Sequence, residues 1–291
     1  MKRILTIQDI SCLGKCSCTV ALPILSAMGL ETVILPTAVL STHTMFKNFT
    51  CKDLSDQLTP ITEHWKKENV KFDAIYTGYL GTCAEIEEVK HIIDTFKTNE
   101  TMVFIDPAMA DNGKLYAAFD QHYADVNATL LSYSDVTDPN ITEACFMTGM
   151  DYREEYDESY LKELLRRLAK LGAKTAILTG VSLSEGKTGV MGLDRSGGFF
   201  SYQNDRIKRT YHGIGDVFSS VLAGAVTLGM DFNTSVQIAC DYTRDTIAET
   251  VRDPKDPWYG VDFETTIPEL IRMIEKVNYP SPKGNGLVTA L

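Results

Sequence analysis

The stretch "MVFIDPAMA", residues 102–110, decides the fold. Four consecutive apolar residues open it, with no polar alternation, so a strand here must be covered on both faces of its sheet. Asp106-Pro107 then ends the run, because proline cannot donate to a ladder. Similar runs recur at "RILTIQDI" (3–10), "TVILPTAVLS" (32–41), "AIYTGYLG" (74–81) and "TAILTG" (175–180). Between and after them lie helical patterns at about 16–29, 53–69, 84–98, 114–131, 158–171 and 216–229. Another helix is expected in "GMDFNTSVQIACDYTRDTIAETV", and a last one at about 264–277. Alternating β and α units imply parallel strands with right-handed crossovers. The expected fold is α/β, a doubly wound, mainly parallel sheet flanked by helices. "TGVMGLD" and "GFFSYQNDRI" around "RSG" read as an antiparallel edge hairpin. No internal repeat or linker divides the chain, so one domain is expected over 1–291, with "NYPSPKGNG" as a terminal tail.

The net charge of −11 argues against a nucleic-acid partner, which needs clustered Lys and Arg. An acidic protein can still bind a nucleotide through backbone amides, local cations or a metal. No run approaches the ~20 apolar residues of a membrane helix, and "MKRILTIQDI" has no sustained apolar core, so no membrane contact and a cytoplasmic location are expected. The seven cysteines are odd in number and scattered, which suggests reduced thiols. Cys12, Cys16 and Cys18 lack a second group at zinc spacing.

Ligands of such sheets bind beyond the carboxyl ends of the strands. Asp9, Thr42-His43-Thr44, Gly78-Tyr79, Asp106, Asn140 and Thr179-Gly180 all fall there. "DISCLGKCS" fails as a P-loop, since Asp9 and Cys16 occupy its glycine and hydroxyl positions, and no G-x-G-x-x-G follows the first strand. In "YHGIGDVFSSVLAGAVTLG" (211–229), Gly213 and Gly215 precede a helix whose free amides can bind an anion. Asp216 gains nothing from a phosphate, yet suits a base that takes a proton from an attacking hydroxyl. As a plain dipole partner it would contribute about 0.3–1 kcal/mol. Asn140 and Glu143 are spaced i, i+3, which fits either a magnesium site working largely through water or a capping box. Asp106 reads as a metal or phosphate carboxylate or as a turn former. Tyr79 can offer a ring face to a flat ligand, and "STHT" (41–44) a polar edge.

Together these residues resemble the ribokinase-like superfamily, and within it the pyridoxal kinases, over two thirds of the chain. Gly213-Ile214-Gly215-Asp216 resembles the G-[TV]-G-D signature, and Asn140-Ile-Thr-Glu143 the N-x-x-E motif. "TGYLG", "DPAMADNGKLY" and "LSTHT" resemble segments of the vitamin B6 branch. The resemblance implies an ATP-dependent phosphotransferase with an alcohol acceptor, the 5′-hydroxymethyl group of pyridoxal, pyridoxamine or pyridoxine, working in B6 salvage. It implies Asp216 as general base and the amides of Gly213, Ile214 and Gly215 as anion hole. Asp106, Asn140, Glu143 and Thr179 would serve ATP and Mg²⁺, while Asp9, His43, Thr44 and Tyr79 would frame the substrate. Relatives are commonly homodimers, and many respond to a monovalent cation.

Three positions depart from the pattern. Ile214 brings no hydroxyl to the anion hole. Gly180 stands where bacterial relatives often carry a lysine. Asp9 replaces a substrate-contacting serine, which favours a cationic ligand group. Two rivals remain: a hydroxymethylpyrimidine kinase of thiamine synthesis, and a non-catalytic vitamer binder with the same fold.

Overall fold

The computed structural model describes residues 1–255 and 257–278. Beyond Asn278, the expected tail lies outside the described residues. In chain order the elements are β1 (Arg3–Leu13), α1 (Cys18–Ala27), β2 (Glu31–Thr42), β3 (Cys51–Asp53), α2 (Ser55–Lys67), β4 (Ala74–Thr77), α3 (Cys83–Phe96) and β5 (Met102–Ile105). There follow β6 (Ala110–Asp111), β7 (Lys114–Leu115), α4 (Gln121–Ala128), a 3₁₀ turn (Thr129–Tyr133), β8 (Val136–Thr137), α5 (Ile141–Thr148) and α6 (Glu158–Lys170). The chain continues with β9 (Ala176–Val181), β10 (Lys187–Leu193), β11 (Phe199–Asp205), α7 (Ile214–Leu228), α8 (Phe232–Arg252) and α9 (Phe263–Asn278).

Nine strands form one sheet in the order β11-β10-β9-β8-β5-β4-β1-β2-β3. The six from β9 to β2 are parallel, while β10 at one edge and β3 at the other run against them, and β11 pairs antiparallel with β10. The expected α/β architecture and edge hairpin are thus both present. The apolar strands are buried on both faces, as their sequences require. Ile4, Tyr76, Phe104, Val136 and Ile177 pack with α1, α7, α8 and α9 in one core. Leu5, Ile75, Val103, Ile105 and Leu178 pack with α2 to α6 in the other. Their alternation along each strand is the period-two geometry of a pleat.

The expected helix over 114–131 begins only at Gln121. Asn112 and Gly113 both have positive φ, 50° and 75°, and close the small β6–β7 hairpin. Asn-Gly is the preferred pair for such a turn. Asp120 then caps α4 by accepting from the Tyr123 amide. The strand of 74–81 stops at Thr77. Gly78 lies under the Gln8 side chain, where a Cβ would come within 2.8 Å. β3 and β8 were too short for any periodic pattern to announce them.

β1 leads to β2 on one side, and the chain then returns to β4 on the other. The switch point therefore falls between β1 and β4, and ligands of doubly wound sheets bind there. Among the described residues no helix is long and apolar enough to cross a membrane.

Candidate functional site

Strand register builds the floor of the site. Ile7, Thr77, Ile105 and Thr137 are paired across β1, β4, β5 and β8. One residue further on stand Gln8, Gly78, Asp106 and Asp138. Asp106 and Asp138 thus end adjacent parallel strands, about 4.8 Å apart in the hydrogen-bonding direction. Both are followed by proline, which halts the ladder and leaves the carboxylate at the strand end. The repeated Asp-Pro was the available signal for Asp138, which sequence reasoning passed over.

α7 descends onto this row. Ser219 in its second turn donates to Asp138 at 2.6 Å and so ties β8 to α7. Gly213 is the N-cap, with φ 77° and no side-chain cap bond. Its glycine is required by the chain itself: a Cβ there would lie 1.7 Å from the Lys15 carbonyl oxygen. Gly215 differs, because nothing lies within 4 Å of the corresponding point. The opening amides of α7 therefore border free space, the geometry of an anion site.

Asp216, in the first turn of α7, accepts from the Ser17 amide and is only partly exposed. Burial raises its pKa to about 7, with Asp9 and Asp138 adding repulsion. Although the residue keeps some exposed surface, the surrounding protein crowds out the water that would stabilise the charge. Ser17 has a left-handed φ of 51°, a strained setting for a residue with a side chain. Its amide serves Asp216 while its hydroxyl bonds Asp9. Ser17 was not singled out from the sequence, since nothing local marks a serine that bridges two distant acids.

Asp9 occupies the point where β1 shifts register against β2, between Gln8 and Ile10. A bulge re-aims a side chain in this way. Its carboxylate is 4% exposed and accepts from the Ser11 hydroxyl at 2.9 Å. Across the switch point, the Tyr79 ring lies 5.4 Å from Phe119, and burial raises its phenol to about 12. Glu85, also passed over, is buried nearby and accepts from the Gly81 amide at 2.6 Å. His43 is buried against Gly14, Phe46 and His212. Its Nδ1 accepts from the Met45 amide at 3.3 Å, and Nε2 lies 2.9 Å from the Tyr259 carbonyl oxygen, so Nε2 carries the proton. Burial lowers its pKa, which agrees with a neutral ring. Thr44 is exposed on the same loop.

Asn140 and Glu143 close a full capping box on α5. Asn140 Oδ1 takes the Glu143 amide, and Glu143 Oε2 takes the Asn140 amide, each at 2.9 Å. Glu143 Oε1 accepts from Met109 at 3.0 Å, and Asn140 Nδ2 donates to the Ala110 carbonyl at 2.8 Å. The pair thus fastens the β6–β7 hairpin beside the acidic row. Thr179 joins through a bridge to Asn140, and its amide donates to Pro139. Gly180 has φ 70°, so a side chain in the lysine position would be strained.

Asp106, Asp138 and Glu143 are all buried, and burial raises the pKa of each. Among the described residues no ion pair neutralises any of them or Asp216. Buried carboxylates without a cation are costly, and a divalent ion would relieve that cost. No three His, Cys, Asp or Glu side chains among the described residues are arranged to enclose a metal. With the Asn140 and Glu143 oxygens already engaged, the residues fit magnesium, which keeps most of its waters. The seven cysteines are free thiols.

The chain is similar to known kinases in sequence and fold. The family model described as phosphomethylpyrimidine kinase matches residues 25–256. The hydroxymethylpyrimidine/phosphomethylpyrimidine kinase of Bacillus subtilis is 28% identical over 187 residues, 63% of this chain and 66% of that enzyme. A pyridoxal kinase from Lactobacillus plantarum is 29% identical at a TM-score of 0.87, covering 94% of this chain and 98% of that one. A Bacteroides thetaiotaomicron structure containing pyridoxal, provisionally assigned as a phosphomethylpyrimidine kinase, is 34% identical at a TM-score of 0.88. That match covers 92% of this chain and 95% of the other.

Proposed function

The chain belongs to the phosphomethylpyrimidine kinase family, and from that premise we propose that it transfers the γ-phosphoryl group of ATP to the 5′-hydroxymethyl group of a vitamin B6 vitamer. The observation that carries this reading is Asp216 beside the open amides of α7, a carboxylate raised to about 7 next to an anion site. The ionised carboxylate takes the proton of the attacking hydroxyl, with the Ser17 amide fixing its orientation. The amides of Gly213, Ile214 and Gly215 stabilise charge on the transferred group. Ile214 contributes through its backbone alone.

Asp106, Asn140 and Glu143 would hold Mg²⁺ mostly through its waters, with Thr179 at the phosphates. When bound, the ion offsets phosphate charge. Tyr79, His43, Thr44 and Asp9 would frame the acceptor ring. The active form is proposed to be a cytoplasmic homodimer, which size-exclusion chromatography with light scattering can check. The rival acceptor is hydroxymethylpyrimidine, favoured by the Bacillus subtilis match. ATP consumption with Mg²⁺ should be measured for pyridoxal, pyridoxamine, pyridoxine and hydroxymethylpyrimidine, each alone. The expected outcome is turnover of at least one vitamer with a kcat/KM above that for hydroxymethylpyrimidine. The reverse order would transfer the assignment to the rival.

A further inference from the structure

Asp9 is a buried carboxylate that the phosphoryl transfer itself does not use. Its hydrogen-bond partners are the hydroxyls of Ser11 and Ser17 and its own backbone amide, and the imidazole of His43 is near enough to act on it electrostatically. The imidazole is neutral, because its two nitrogens are committed to the Met45 amide and the Tyr259 carbonyl. Lys15, the nearest lysine in sequence, is drawn off to Asp262 at 2.6 Å and Glu264 at 2.9 Å. The other groups that sense Asp9 electrostatically include Tyr79, Glu85, Cys16 and Asp216, none of which is a cation. Among the described residues, no ion pair reaches Asp9. Hydroxyl hydrogen bonds alone do not repay the desolvation of a carboxylate, and a counter-charge does. The protein supplies none at this point, and a cationic ligand group would.

We propose that Asp9 anchors a protonated amine of the acceptor substrate, so that the site selects a hydroxymethyl heteroaromatic bearing an aminomethyl group, pyridoxamine among the vitamers. This inference rests on the kinase reading for the identity of the acceptor ring. Ser17 gives it spatial sense, since its hydroxyl bonds Asp9 while its amide bonds Asp216. Amine anchor and proton acceptor therefore flank one residue. A ring with aminomethyl and hydroxymethyl groups on adjacent carbons can meet both. An aldehyde or phenolate oxygen would meet only acceptors at Asp9.

Calorimetric titration of the full-length protein without ATP tests this. Pyridoxamine, pyridoxine and 4-deoxypyridoxine are the probes, and wild type, Asp9→Asn and Asp9→Ser the proteins. Wild type should bind pyridoxamine at least tenfold more tightly than pyridoxine, and the ratio should fall toward one in both variants. Near-equal wild-type affinities, no pyridoxamine binding, or a ratio that survives both substitutions would each overturn the proposal. If 4-deoxypyridoxine loses as much affinity as pyridoxamine in the variants, the ring nitrogen is the cation and the amine anchor is wrong. A wild-type ratio near one overturns the proposal even where one variant fails to fold, and the other variant then carries the assignment to Asp9. Turnover of the vitamers without an Asp9-dependent amine preference removes the anchor and leaves the kinase reading intact. Asp9-dependent amine binding without ATP consumption does the opposite.

Discussion

The proposed chemistry turns on one carboxylate. Asp216 is raised to about 7 chiefly by desolvation, against an ordinary carboxylate value near 4. Only its ionised form can take a proton, so kcat/KM should fall about tenfold per unit as pH drops below about 7 and level off above it. A profile flat from about pH 5.5 to 8.5 would show that Asp216 is not the group whose ionisation limits the reaction. Asp216 was legible because Gly213-Ile214-Gly215-Asp216 is contiguous in sequence. Asp138 and Ser17 were not, because their roles come from pairing with residues far away in the chain: Asp138 with Ser219 at 2.6 Å, and Ser17 with Asp216 as well as with nearby Asp9. Of the two sequence readings of Asn140 and Glu143, the capping box is seen and the magnesium role is the proposed one. The capping box exists, and it holds a buried carboxylate at the acidic row.

At the scale of the element, the start of α7 separates two glycines that look alike in sequence. Gly213 has a left-handed φ and touches the Lys15 carbonyl, while Gly215 faces open space. Gly213→Ala should therefore destabilise the protein by about 2–4 kcal/mol, through backbone strain and overpacking. Gly215→Ala should instead raise stability by up to about 1 kcal/mol, as Gly→Ala does within helices. The same methyl group would enter the proposed anion site, so kcat/KM for ATP should fall. Thermal denaturation and steady-state kinetics of the two variants check this. Equal destabilisation by both, or unimpaired kinetics in Gly215→Ala, would contradict the division of labour. The elements themselves followed the sequence where apolar patterns were long, as in β1, β2 and α6. They escaped it where a two-residue strand or an Asn-Gly turn replaced a pattern, as at β8 and the β6–β7 hairpin.

For the whole molecule, the acidic row links stability to pH. Asp106, Asp138, Glu143 and Asp216 all have folded-state pKa values raised by burial. The native state then holds protons that the unfolded chain releases near pH 4. This contribution is full below the unfolded value and is lost as pH rises through the folded one, about 7 for Asp216. His43 and His212 are lowered by burial and act in the opposite sense, at and below their ordinary value near 6.5. Between about pH 6.5 and 8.5 the carboxylates dominate, so the metal-free protein should melt at a lower temperature at the upper pH. Each kcal/mol lost corresponds to roughly 2–4 °C. Millimolar Mg²⁺ should restore more of the melting temperature at pH 8.5 than at 6.5, and Asp216→Asn should flatten the slope. An upward slope over that window would mean that the row is neutralised by other groups. The central claim is that these acids and the α7 amides form a phosphoryl-transfer site with Asp216 as its base. It is tested most directly by ATP-dependent vitamer phosphorylation in wild type and Asp216→Asn. The account predicts turnover in wild type, a kcat lower by on the order of 10²–10⁴ in the variant, and ATP affinity largely kept. A near-normal kcat in Asp216→Asn would contradict it.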